Sequence, residues 1–209
     1  MHIPDGFLDL KTLAITDGIA GACLLFSVWR VNRRLKPERI PLMGLCGAFV
    51  FTAQLLSFPV PGGTSVHLCG AVLISILLGP FSGFTILSSA LILQALLFHH
   101  GGIWSLGANI LNMGLIGCWL GYGLFLIFRR ILGKYWLAGA GGSAWLSMVI
   151  SALFASLELW ASGMIPLKKG LMAMGFAHII AGIFEALATI LILGTINKIR
   201  PDLLKMEKI

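Results

Sequence analysis

Charge is what this sequence has least of. Only 11% of its 209 residues are Asp, Glu, Lys or Arg, against roughly 25% in a soluble globular domain. Acidic residues are the scarcer half, 8 against 15 Lys and Arg, which leaves a net charge of +7. Cysteine is sparse too: Cys23, Cys46, Cys69 and Cys118 each lie in or beside an apolar run, with no C-x-x-C pair. That spacing gives a zinc-finger or thioredoxin reading no support, and leaves the four as small buried hydrophobes in helices. No G-x-x-x-x-G-K-[ST] motif occurs. The chain therefore shows no nucleotide site, and its short polar connections leave no room for an ATPase domain. The excess of positive charge does not point to nucleic acid, because the basic residues sit in connections between apolar runs rather than on one basic patch. The opening Met1-His2-Ile3-Pro4-Asp5-Gly6 has no basic n-region, so it is expected to begin the mature chain rather than a signal peptide.

What is present in abundance is apolar side chain, 58% of residues with mean hydropathy +0.96. Crossing ~30 Å of hydrocarbon takes ~20 apolar residues in a helix. Lipid-facing backbone must also satisfy its own hydrogen bonds. The sequence predicts an all-α, polytopic bundle of about seven transmembrane helices: Leu13–Val31, Ile40–Ser57, Leu68–Leu78, Phe84–Phe98, Trp104–Phe128, Ala138–Ala161 and Ala173–Asn197. One integral-membrane domain spans 1–209, with an N-terminal segment over 1–12, the bundle over 13–197 and a tail over 198–209. The third run is too short to cross alone, so it is tilted, re-entrant or extended by the loop before it.

Orientation follows from the basic residues. Arg30, Arg33, Arg34, Lys36 and Arg39, then Arg129, Arg130 and Lys134, then Lys198, Arg200, Lys205 and Lys208 all fall on one side of a seven-span layout. Only Lys11, Lys168 and Lys169 fall on the other. The positive-inside rule then places the N-terminus outside and the C-terminus in the cytoplasm of a bacterial or archaeal cell membrane. The five histidines, His2, His67, His99, His100 and His178, all fall on the opposite, outer side. That segregation points to an external site.

Met1 and His2 carry the sharpest chemistry. Methionine is retained before a bulky second residue, so a free amine is expected. The Met1 amine and the His2 amide would close a five-membered ring on a metal, and the amide and His2 Nδ1 a six-membered ring. One further histidine would complete four coplanar nitrogens, a preference of Ni(II) and Cu(II). Amide and imidazole must give up protons to bind, so acid should weaken the site. The plain alternative is a frayed surface histidine. Pro4 and the Asp5-Gly6 turn signal argue for an ordered segment, and Ile3, Phe7 and Leu8 are apolar enough to insert into the bundle. His67 is the best fourth ligand, following a loop of Pro61-Gly62-Gly63-Thr64-Ser65-Val66 in which Thr64 and Ser65 could orient an imidazole or cap a helix.

His99 and His100 either collect metal at an entrance or sit in interfacial water, and the plain reading is slightly favoured. Asn109, Asn112 and Gln94 are buried amides that need partners. His178 and Glu185 share one helix face two turns apart, and ionisable groups at membrane depth are functional candidates, as is Glu158. Small residues at Gly18–Ala22 and Gly117–Gly121 fit close helix packing, or docking of a second membrane subunit.

Four motifs together resemble the CbiM/NikM family, the substrate-specific S components of energy-coupling factor transporters for cobalt and nickel. They are Met1-His2-Ile3-Pro4-Asp5-Gly6-Phe7-Leu8, Gly62-Gly63-Thr64-Ser65-Val66-His67-Leu68-Cys69-Gly70, the stretch from Gln94 through Gly101-Gly102 to Asn109 and Asn112-Met113-Gly114, and His178 with Gly182, Glu185 and Ala186. The resemblance covers nearly the whole chain. It implies a seven-helix bundle with the N-terminus inserted, and metal ligation by the Met1 amine, the His2 amide and imidazole, and the His67 imidazole. It implies Ni(II) or Co(II) as transported substrate and no enzymatic activity in this chain. It also implies a transmembrane coupling subunit, two cytoplasmic ATPases and, in many systems, a small accessory membrane protein. A haem-binding redox protein using His100 and His178, and an intramembrane enzyme using His178 and Glu185, are the rivals. Neither accounts for a histidine at position 2.

Overall fold

The structure, a computed structural model, describes residues 2–60 and 64–205. Helix α1 (Leu10–Arg34) starts where the Asp9 side chain accepts the Thr12 N–H at 3.0 Å. It buries only Thr16, Ala20, Ser27 and Val31, so most of its apolar surface faces outward. An all-round apolar helix with one buried stripe is what lipid as solvent permits. Helix α2 (Ile40–Leu55) follows a short 3-10 turn at Pro37–Arg39. Next comes a small antiparallel hairpin of β1 (Phe58–Val60) and β2 (Thr64–Val66), with Phe58 opposite Val66. This hairpin is the one pair of strands among the described residues.

Helix α3 (Ala71–Leu78) is eight residues long and every one is buried. At ~1.5 Å per residue it covers ~12 Å, well short of a crossing. The residues from His67 to Gly70 make up part of the remaining depth as non-helical backbone, and Leu68–Gly70 do not join the helix that the apolar run predicted. Such backbone is tolerated only where protein covers it and its polar groups are paired. The pairing is explicit. Glu185 accepts the Cys69 and Gly70 N–H groups at 2.7 Å each, and Gln54 Nε2 donates to the Cys69 carbonyl at 3.1 Å. Glu185 thus caps the N-terminus of α3, where a carboxylate also meets the positive end of the helix dipole.

The chain reverses at Gly79 (φ +96°) into α4 (Pro80–Phe98). A Cβ at Gly83 would sit 2.7 Å from Ser75 Oγ, so α3 and α4 approach closely only because that residue is glycine. Helix α5 (Leu106–Asn109) continues through a π-helical stretch (Ile110–Leu120) into α6 (Gly121–Leu132). Two long helices complete the bundle, α7 (Trp136–Ala161) and α8 (Leu167–Ile199). With α5 through α6 as one rod, seven helices result. Four segments have the length and hydropathy of membrane spans. The expected tail does not hang free over its described part: α9 (Pro201–Lys205) packs against α3 and α8. Basic residues occupy the last turns of α1, α6 and α8, a placement that suits the negative ends of those helices.

Candidate metal site

The N-terminal segment is docked, not frayed. Ile3 is 3% exposed, and its backbone is held from both sides. Asn109 Oδ1 accepts the Ile3 N–H at 2.7 Å, and Asn109 Nδ2 donates to the Ile3 carbonyl at 3.1 Å. Ser105 Oγ and the Gly102 N–H donate to that same carbonyl. Asp5 in turn accepts the N–H groups of Ile103, Trp104 and Ser105, at 3.0, 2.8 and 3.2 Å. These N–H groups line the turn that leads into α5, while within α5 the Gly107 N–H is accepted by Asp17 of α1 at 2.9 Å. Gly6 supplies the turn with φ +85°. A Cβ on Gly102 would collide with the Asp5 backbone at 2.5 Å, so the segment lies flush against the chain.

This clasp brings imidazoles together. The His2 and His67 ring centroids are 4.8 Å apart, and His100 lies 4.2 Å from His2 and 6.2 Å from His67. His67 is 5% exposed. Its Nδ1 is 3.0 Å from the Leu68 carbonyl, which can only accept, so Nδ1 carries the proton and Nε2 keeps its lone pair. The Nε2 atoms of His2 and His67 are both buried without a hydrogen-bond partner. Burial holds His2 well below the ordinary histidine value, pushes His67 down to about 3, and lowers His100 as well. All three are therefore neutral at pH 7, the form that binds metal. Among the described residues no three His, Cys, Asp or Glu side chains are disposed to hold an ion by themselves.

The other expected residues fall into place around this cluster. His178 is buried on α8 with Nδ1 2.8 Å from the Met174 carbonyl and Nε2 unpartnered. Glu185, two turns on, is engaged at α3, so the two do not form an acid–base pair. Asn112 donates to Glu158 at 2.6 Å, one turn beyond Asn109. Met1 and the loop 61–63 lie outside the described residues, and so do the side chains of Thr64 and Ser65. The expectations placed on them are untouched. Sequence reasoning passed over Ser105, and it weighed His100 only as an entrance or interfacial group rather than as a ring packed on His2. The adjoining Gly101-Gly102 pair was the available signal, since a Cβ on Gly101 would stand 3.1 Å from both His2 Nδ1 and Asn109 Nδ2.

A helical bundle of membrane-span length, with neutral imidazoles and a pinned backbone gathered at one end, has the build of a membrane metal transport protein. Residues 2–203 match the family model for the cobalt uptake substrate-specific transmembrane region. The cobalt transport protein CbiM of Sorangium cellulosum is 32% identical, over 98% of this chain and 94% of its own. The fused nickel transport protein NikMN of Rhodobacter capsulatus is 30% identical over 98% of this chain, which spans 64% of that longer protein. Among solved structures, a truncated transition metal transporter superposes with a TM-score of 0.86 at 33% identity, covering 95% of this chain and 99% of that one. The chain belongs to the CbiM family, as a cobalt/nickel transport membrane component.

Proposed function

We propose that this chain captures Ni(II) or Co(II) at the extracytoplasmic face of the cell membrane. Its role is that of the substrate-specificity subunit of an ECF-type uptake transporter. The ligands are the Met1 amine, the His2 amide nitrogen, the His2 imidazole and the His67 imidazole. The observation that carries this reading is the close approach of His2 to His67, 4.8 Å between ring centroids, with the lone pair of His67 Nε2 buried and unpartnered. Asn109 and Ser105 hold the Ile3 backbone and Asp5 holds the turn after it, so the residue before them, His2, is set against His67. Preorganisation of this kind lowers the entropy cost of assembling a chelate. Asp5, Asn109 and, from α8, His178 and Glu185 support the site rather than bind the ion. Asn112 serves one layer further in, through Glu158.

Four coplanar nitrogens favour Ni(II), and Cu(II) fits the same geometry, so supply and partners decide between them in the cell. The side chains and main chain here bind and release; no bond of the substrate is made or broken. Energy comes from two cytoplasmic ATPases through a transmembrane coupling subunit, with a small accessory membrane protein as a further partner. The N-terminus lies outside and the C-terminus in the cytoplasm, in keeping with the basic ends of α1, α6 and α8.

Adding four residues ahead of Met1 tests this reading. The extension carries the free amine well away from the His2 amide while leaving every side chain in place; a single added residue would not serve, because a free amine two residues ahead of a histidine itself closes a planar nitrogen chelate on Ni(II). Calorimetric titration with NiCl2 should show binding to the unaltered protein and its loss in the extended one. Equal binding by both would remove the terminal chelate.

A further inference from the structure

His100, like His2, is half-buried where His67 is closed off. A hydrated ion arriving from outside thus meets an imidazole that touches both solvent and the His2 ring. This placement is built by the backbone. His99, at φ 51°, is the only non-glycine residue with positive φ among the described residues. A left-handed residue there costs roughly 1–2 kcal/mol, and strain of this sort gathers at working sites. It ends α4 and turns the chain, so that the His100 N–H returns to the Gln94 carbonyl at 3.1 Å and the ring of His100 packs on His2. Gly101 then passes against His2 and Asn109 with no space for a side chain.

The capture reading decides what His100 can do. Its ring centroid is 4.2 Å from that of His2 and 6.2 Å from that of His67. The four in-plane positions are already taken by the Met1 amine, the His2 amide and imidazole and the His67 imidazole, so His100 can reach the ion only as a fifth donor. Its access is from outside that plane. A planar four-coordinate ion has open faces, and it exchanges ligands by adding a fifth donor there before losing one of the four.

We infer that His100 is an entry ligand: it takes a hydrated divalent ion from the outer solution and holds it while the nitrogens of His2 and His67 replace the waters one at a time. It then lets go, and on release it acts in reverse. The displaced waters and the protons from the terminal amine and the His2 amide leave to solvent. The inference rests on the capture reading above and adds a residue which that reading does not use. A group that touches the ion only in passage lowers the barrier in both directions alike. Its loss therefore slows arrival and departure by one factor and leaves the equilibrium untouched.

Stopped-flow measurement on the full chain in detergent tests this, with NiCl2 for association and a chromophoric chelator in excess for dissociation. In His100→Ala both rate constants should fall by the same factor, about tenfold or more, the scale of one lost stabilising contact at the barrier, with Kd unchanged. His100→Gln, which keeps bulk without the imidazole, should show the same paired slowing. Leu97→Ala, at an exposed side chain of α4, should show none. Faster dissociation with unchanged association would make His100 a resident ligand and overturn the inference. Unchanged rates, or normal rates in His100→Gln alone, would overturn it too. Absence of nickel binding in the unaltered chain would instead bring down capture itself, so the two failures are told apart.

Discussion

Two regions of this molecule hold together by opposite means. The clasp over residues 2–8 and 101–109 is made of directional bonds between backbone and the side chains of Asp5, Ser105 and Asn109. The wall formed by α7 and α8 is made of shape. Gly141 lies under Ile190, Gly182 lies under Trp145, and the Ser143, Ser147, Ser151 and Ser156 hydroxyls turn back to carbonyls of their own helix. In lipid, close packing of small residues is enough to join two helices. Placing donor atoms around an ion is a stricter demand, and hydrogen bonds of fixed length meet it. The contrast says which region sets affinity and which sets stability.

Acid gives the largest effect, and only the clasp should feel it through the metal. Under the proposed chelation each ion displaces one proton from the amine, whose ordinary pKa is ~8, and one from the amide, so affinity should fall about a hundredfold per pH unit between 7 and 5. Burial keeps His2 below its ordinary value and His67 at about 3, so the slope should not steepen as pH crosses 6.5. Steepening there in calorimetric titrations would show the imidazoles to be more open than the structure has them. The metal-free fold should also lose stability as pH falls below 6.5, because the unfolded chain then takes up protons that the buried imidazoles refuse.

Asn109→Leu comes next. It deprives the Ile3 N–H of its acceptor and the Ile3 carbonyl of one donor, and should weaken nickel binding by roughly 10–100-fold, the range for groups that orient metal ligands. Intact affinity in that variant would break the comparison at its stronger end. Gly182→Ala probes the wall. Its Cβ would stand 2.7 Å from Trp145 Cδ1, and overpacking of this kind costs about 1–3 kcal/mol. Unfolding in detergent should register that loss, while Kd for nickel stays put. The smallest effect belongs to His99→Gly, which removes left-handed strain at φ 51° and should raise stability by about 1 kcal/mol. A loss of stability there would mean that the His99 side chain, not its backbone, carries the turn.

Much of this was legible beforehand, and what escaped did so for a physical reason. The number of helices follows from hydropathy alone, and the pairing of Asn109 and Glu185 follows from the need of buried polar groups for partners. The end of the third run did not follow. Leu68–Leu78 is uniformly apolar, and periodicity cannot separate buried helix from buried extended chain. What stops α3 at Ala71 is Glu185, more than a hundred residues away in sequence. The direction of His100 was equally hidden, because adjacent histidines carry no orientation until the backbone at His99 is known. The π-helical stretch at Ile110–Leu120 left no mark in composition, and the function of Asp5 in pairing the N–H groups of a turn about a hundred positions later could not be read from its neighbours.

The bond from Ile3 to Asn109 joins residues 106 positions apart. At a synthesis rate of ~5–20 residues per second, the first residues made must wait ~5–20 s for their partner to leave the ribosome. The leading end of the polypeptide therefore spends its early life unanchored, and the molecule becomes competent for its cargo only once more than half of it has been translated. Whatever trims or blocks a fresh amino terminus has that interval in which to act, and a finished clasp ends the opportunity.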